Sequence, residues 1–149
     1  MALTQDTTRR NYGTAVPTTV IPVKANQTFY KGSIVTVKNG LAYNATNSDN
    51  THVAVGIAYI AVTAAQSAGG DGLANGGVDL VVEPGTWGDF TPDAAANNPT
   101  FSARYSTVYV LDDDTLSTSS NGSARCSVTM TEVADDGVSL VAQFNEVPS

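Results

Sequence analysis

Asn39-Gly40 stands between two β-prone runs, Phe29-Tyr-Lys-Gly-Ser-Ile-Val-Thr-Val-Lys38 and Leu41-Ala-Tyr-Asn-Ala45. A two-residue type I′ turn needs positive φ at both central residues, and Asn followed by Gly accepts that most readily. The pair therefore predicts a hairpin. After a polar loop comes the apolar run His52-Val-Ala-Val-Gly-Ile-Ala-Tyr-Ile-Ala-Val62. Its alternation places Val53, Val55, Ile57 and Tyr59 on one face and Ala54, Gly56 and Ala58 on the other. Three such consecutive strands predict a meander, the seed of a small barrel or sandwich.

The rest of the chain supports an all-β fold. Only 14% of its 149 residues are charged, while Thr, Val, Ala and Gly dominate, a composition suited to strands and turns rather than long helices. The expected organisation is an N-terminal arm over residues 1–15 and a single β-domain over 16–149, a small β-barrel or β-tulip-like fold with at most a short helical turn. Strands are expected at Thr18–Lys24, Val78–Glu83, Arg104–Leu111, Ala124–Val133 and Val138–Phe144. In the last, Val138, Leu140, Ala142 and Phe144 share a face. Trp87 and Phe90, just past Pro84-Gly85, read as a plug at one end of the core. Thr63–Gly77, rich in Gly and small residues, reads as a connecting loop too poor in side chains to pack. Pro92 opens the one expected helical turn, Thr115–Gly122 lies between the aspartate run and the strand at Ala124, and the end Asn145–Ser149 is short and polar.

Seven basic residues against fourteen acidic ones give a net charge of -7. A surface of that sign repels phosphate, so no nucleic-acid partner is expected. No apolar run is long enough for a transmembrane helix, and no membrane partner is expected. The opening Met-Ala-Leu-Thr-Gln-Asp has no basic segment leading into an apolar one, so secretion is not expected either.

Residues with chemistry are scarce. His52 is the only histidine and Cys126 the only cysteine, which rules out an internal disulfide and any multi-cysteine metal site. His52, at a strand end, reads as an ordinary surface residue, and Cys126 as a small buried hydrophobe. No Gly-x-Ser-x-Gly elbow is present. The glycine stretch has no lysine and no Gly-x-x-x-x-Gly-Lys order, so it does not read as a phosphate loop. Asp112-Asp-Asp114 lacks the spacing of a calcium loop and reads as a solvated hairpin end that blocks edge pairing. No cofactor and no enzymatic activity are expected.

The arm is a different matter. Ala2, Leu3, Thr4, Gln5, Asp6, Arg9, Arg10 and Tyr12 show no hydrophobic period, and termini are loose unless tied down. They are expected to be ordered by another subunit, with folding back on the chain's own barrel the alternative.

Several segments resemble small head proteins of tailed bacteriophages: the opening Met-Ala-Leu-Thr-Gln-Asp, Ile21-Pro-Val-Lys-Ala with Phe29-Tyr-Lys-Gly-Ser-Ile-Val, and Val108-Tyr-Val-Leu-Asp-Asp-Asp-Thr-Leu. Gly122-Ser-Ala-Arg and Val133-Ala-Asp-Asp-Gly-Val have the same look. The resemblance covers most of the chain in order, through strand and turn patterns rather than catalytic motifs. Ala68–Gly77 is longer than that family's usual connection. What the resemblance implies is a capsid decoration, or cement, protein. Such a protein is assembled in the host cytoplasm, sits on the outer capsid surface, is commonly a homotrimer, and binds the major capsid protein through its arm. The alternative is a virion tail or baseplate module, or a β-module that binds the host surface.

Overall fold

The hairpin forms as its turn residues dictate. In the computed structural model, which describes residues 2–13, 16–73 and 76–144, β1 (Thr19–Pro22) is followed by β2 (Ile34–Lys38) and β3 (Leu41–Asn44). Lys38 lies opposite Leu41, so Asn39 and Gly40 alone make the turn. Their φ values are 53° and 78°, the left-handed pair that type I′ geometry requires. The polar end Asn145–Ser149 and the last two residues of the expected arm, Thr14 and Ala15, lie outside the described residues.

The third run joins the hairpin from the other side. β4 (Val53–Ala58) pairs with β2 rather than β3, so the expected meander is not formed. A short 3-10 turn, Ala45–Asn47, lies on the way back. With β5 (Asp79–Glu83) the antiparallel sheet has the order β1-β5-β4-β2-β3. Val23 bridges to Ala42, and Lys24 N–H donates to Ala42 O at 3.0 Å. These contacts draw the β1 end of the sheet toward β3 and curl it around Ile21, Val23, Phe29, Val55, Leu80 and Val82.

The remaining strands close a barrel. β6 (Gly85–Pro92), β7 (Ser106–Val110), β8 (Thr115–Ser117), β9 (Ser127–Val133) and β10 (Leu140–Phe144) run in the order β10-β6-β8-β7-β9. The β6–β8 pair is parallel, and closure leaves no free edge in the ring. Phe90, Leu116, Met130 and Leu140 are fully buried inside it, and each such side chain contributes roughly 1.5–3 kcal/mol by leaving water.

β4 is the wall between the two cores. Its register with β2 slips between Val35 and Thr36, so Val55 and Ala58 face the sheet core while Ala54 and Ile57 face the barrel core. The simple alternation expected for this run therefore fails: Val53 and Tyr59 are 44% and 45% exposed.

Other expectations are corrected in detail. Trp87 and Phe90 are not an end plug; the chain resumes as a strand at Gly85, and both side chains line its inner wall. Val138 is exposed because it belongs to the turn before β10. Thr115–Ser117, outside the expected strands, is a strand with all three residues buried. The segment after β4 contains a helical turn, α1 (Ala64–Ser67), built on a capping box. Gln66 N–H donates to Thr63 Oγ1 at 3.1 Å, and Thr63 N–H donates to Gln66 Oε1 at 2.7 Å. The glycine stretch that follows does pack, through its backbone. Gly72 N–H donates to Val23 O at 3.1 Å, and Asp71 accepts from Ala25 N–H at 2.8 Å and meets Lys24 Nζ at 3.2 Å. The turn expected after Pro92 is a 3-10 turn at Ala95–Asn97, with Pro92 itself still in β6. No helix among the described residues is long and apolar enough to cross a membrane.

Candidate functional site

The arm lies along its own chain. Tyr12 N–H donates to Thr86 O and Gly88 N–H donates to Arg10 O, both at 2.9 Å, so Arg10–Tyr12 adds to β6 as a short extra strand. Farther out, Thr7 N–H reaches Lys31 O at 2.9 Å, and Asp6 accepts from Lys31 N–H at 2.9 Å. Leu3 N–H donates to Asp113 Oδ1 at 2.8 Å. Two glycines make the seat. A Cβ on Gly88 would run into the Tyr12 ring, and one on Gly32 would come within 2.6 Å of Thr7 Cγ2 and Thr7 O.

Arg9 is the anchor. Its side chain is 1% exposed. Nε donates to Gly32 O at 2.6 Å, Nη1 to Asp89 O at 2.8 Å and Nη2 to Asp114 Oδ1 at 2.7 Å. The guanidinium carbon sits 4.1 Å from the centroid of the Phe90 ring, a desolvated cation–π contact. Burial pushes the Arg9 pKa down; the Asp114 hydrogen bond and charge, with the charges of Asp113 and Asp89, oppose that shift. An arginine stays protonated through such a shift, so a full positive charge is buried here and needs its partners.

Asp114 and Asp113 come from the run of three aspartates read as a solvated hairpin end, and that reading is overturned. Asp113 is 2% exposed and Asp112 9%. Asp113 Oδ2 accepts from Ser33 Oγ and Asn44 Nδ2, both at 3.0 Å, which ties the turn to the sheet. Asp114 Oδ2 accepts from Thr91 Oγ1 at 2.7 Å, which ties it to β6. Asp112 Oδ1 accepts from Asp114 N–H and Thr115 N–H, closing the turn on itself. The backbone joins in: Ile34 N–H donates to Asp113 O and Thr91 N–H to Asp114 O, both at 2.9 Å. Arm, sheet and barrel therefore meet at one acidic turn. The carboxylates are used up in protein contacts, and no group of His, Cys, Asp and Glu suited to a metal ion occurs among the described residues.

The expected binding residues separate into two faces. Leu3 and Tyr12 are half-buried and Arg9 is buried, while Thr4, Gln5, Asp6 and Arg10 are exposed, and Ala2 is half-buried. Thr8 and Asn11 join the exposed set, and Thr7 the inward one. The expectation that the arm depends on another subunit for its order is thus corrected: much of its hydrogen bonding is met within the chain. The Tyr12 hydroxyl is an exception, buried with no hydrogen-bond partner.

His52 is not a surface residue. Its side chain is 4% exposed, packs edge-on with Tyr43 at 4.7 Å between ring centroids, and places Nδ1 3.0 Å from Asp49 Oδ1. Hydrogen bonds from Thr51 and His52 hold the Asp49 carboxyl well below its ordinary range. Cys126 is buried as expected, and burial raises its thiol pKa against a weak contact with Ser48 Oγ at 3.7 Å. Compared with family models, curated proteins and solved structures, the chain finds no match.

Proposed function

We propose that the protein is a capsid decoration protein of a tailed bacteriophage, a homotrimer that sits on the outer surface of the head and clamps neighbouring major capsid subunits. The observation that carries this reading is the two-sidedness of the arm. Leu3, Thr7, Arg9 and Tyr12 are turned to the protein's own body, which leaves Thr4, Gln5, Asp6, Thr8, Arg10 and Asn11 as a pre-ordered outward edge. A partner that binds such an edge does not have to order a loose terminus, and cutting that cost raises affinity. The net charge of -7 suits an outer surface rather than contact with packaged DNA. Each contact on the order of 800 Å² per partner is ordinary in size, and a closed lattice multiplies it.

The test separates the two faces. Deleting Ala2–Tyr12 removes Arg9 as well, so that truncation mixes binding with folding. Replacing Thr4, Gln5 and Thr8 together by lysine alters only the outward edge. Heads that lack the protein should assemble but lose DNA at a lower temperature, and adding back the natural protein should restore them. The triple-lysine protein should keep its melting temperature yet sediment with heads at least tenfold less well. Heads equally robust with and without the protein would contradict the stabilising role.

A further inference from the structure

A second feature shares no lining residue with the arm's anchor. The loop before β4 and the loop before β9 enclose a cleft of about 290 Å³, with Asn50, His52, Tyr109, Ser120, Ser123 and Arg125 in its wall. That volume is at the small end for ligand sites and suits one ring-sized molecule.

The chemistry of the wall is selective. Arg125 is its one cation, and no carboxylate lines it, although the chain carries twice as many acidic as basic residues. Arg125 Nη1 donates to Ser119 O at 3.0 Å, which fixes the guanidinium plane; Nε and Nη2 remain the donors that match a carboxylate edge. Serine hydroxyls and the Asn50 amide donate and accept hydrogen bonds, and Tyr109 supplies an aromatic surface. His52 adds an independent observation. Its Nε2 is buried with no hydrogen-bond partner, in a structure where nearly every such group is normally paired.

We infer that this cleft binds a hexuronate, an acidic sugar, with Arg125 on the carboxylate and Asn50, Ser120 and Ser123 on the ring hydroxyls. A neutral sugar leaves Arg125 unmatched, and a bare anion leaves the amide and hydroxyls unmatched. The specificity therefore belongs to the combination. The site is separate from the arm and does not depend on the capsid reading.

Titration of the isotopically labelled full-length protein with D-glucuronate, D-glucose, acetate and inorganic phosphate tests it by amide NMR. Glucuronate should shift the Asn50, Ser120, Ser123 and Arg125 amides saturably in the millimolar range, where one ion pair and a few hydrogen bonds place it. Glucose, acetate and phosphate should each bind at least tenfold more weakly. Arg125→Gln should weaken glucuronate roughly tenfold or more, the scale of a lost charge-assisted pair, with an unchanged melting temperature. Ser123→Ala should weaken it by a smaller factor. Absence of saturable shifts at these amides would overturn the proposal. So would acetate or phosphate matching glucuronate, or an Arg125→Gln protein that binds it undiminished.

Discussion

The sheet and the barrel are both five-stranded, yet they are held together by different means. The sheet rests on local rules: a two-residue turn at Asn39-Gly40, alternation in β5, and an apolar core from Ile21 to Val82. The barrel has an apolar core too, but its β8 is only three residues long and pairs in parallel with β6. Parallel pairs require long connections, and this one is clamped by Asp114, Thr91 and Arg9. Arg9 and Asp114, which close that clamp, are 105 residues apart in sequence. The comparison teaches that turn chemistry secures the first unit, while a buried polar network contributed by the terminus secures the second.

Breaking the network should have the largest effect. Arg9→Ala leaves Asp114 without its charge partner, and removing one member of a buried pair costs about 3–5 kcal/mol. Thermal or urea unfolding should show that loss, with amides of β6 and β8 losing protection before those of β2 and β3. Gly88→Ala should cost about 1–3 kcal/mol, the range for forcing extra volume into a packed seat, because its Cβ meets the Tyr12 ring. The arm should lift while the hairpin is untouched. The converse experiment is Gly40→Val, which strains a residue at φ 78° and should cost roughly 1–3 kcal/mol. Open space around Gly40 confines that effect to the backbone, so loosening should begin in the sheet. The smallest effect is expected from Tyr12→Phe. Its hydroxyl has no partner, so its removal should be neutral or stabilise by up to about 1 kcal/mol; a clear loss of stability would mean the hydroxyl is bonded after all.

What was legible in the sequence follows the same division. The all-β class, the Asn39-Gly40 turn, the strand around Val108 and the burial of Cys126 were readable, because each depends on residues adjacent in the chain. The order of β2, β3 and β4 was not, since a bulge rather than the hydrophobic pattern decides which core each β4 residue faces. α1 was hidden because four residues give no period, although Thr63-x-x-Gln66 was a capping signal that could have found it. Asp112–Asp114 was misread for a physical reason: three adjacent carboxylates look solvated until Arg9, Ser33 and Asn44 arrive from elsewhere. The arm residues were singled out as a unit by their lack of a hydrophobic period. Which of them face inward depends on Gly32 and Gly88, whose role as a seat has no local signature.

The central claim is that the arm belongs to the fold and presents only its outer edge to a partner. Native-state hydrogen exchange on the isolated protein tests it most directly, at two amides. Thr7 N–H is bonded to Lys31 O and Tyr12 N–H to Thr86 O. Both should exchange far more slowly than an unstructured chain, with Tyr12 protected to nearly the level of β6 and both released together by Arg9→Ala. Exchange of both amides at the unstructured rate in the natural protein would contradict the account and return the arm to a segment that orders only on another subunit.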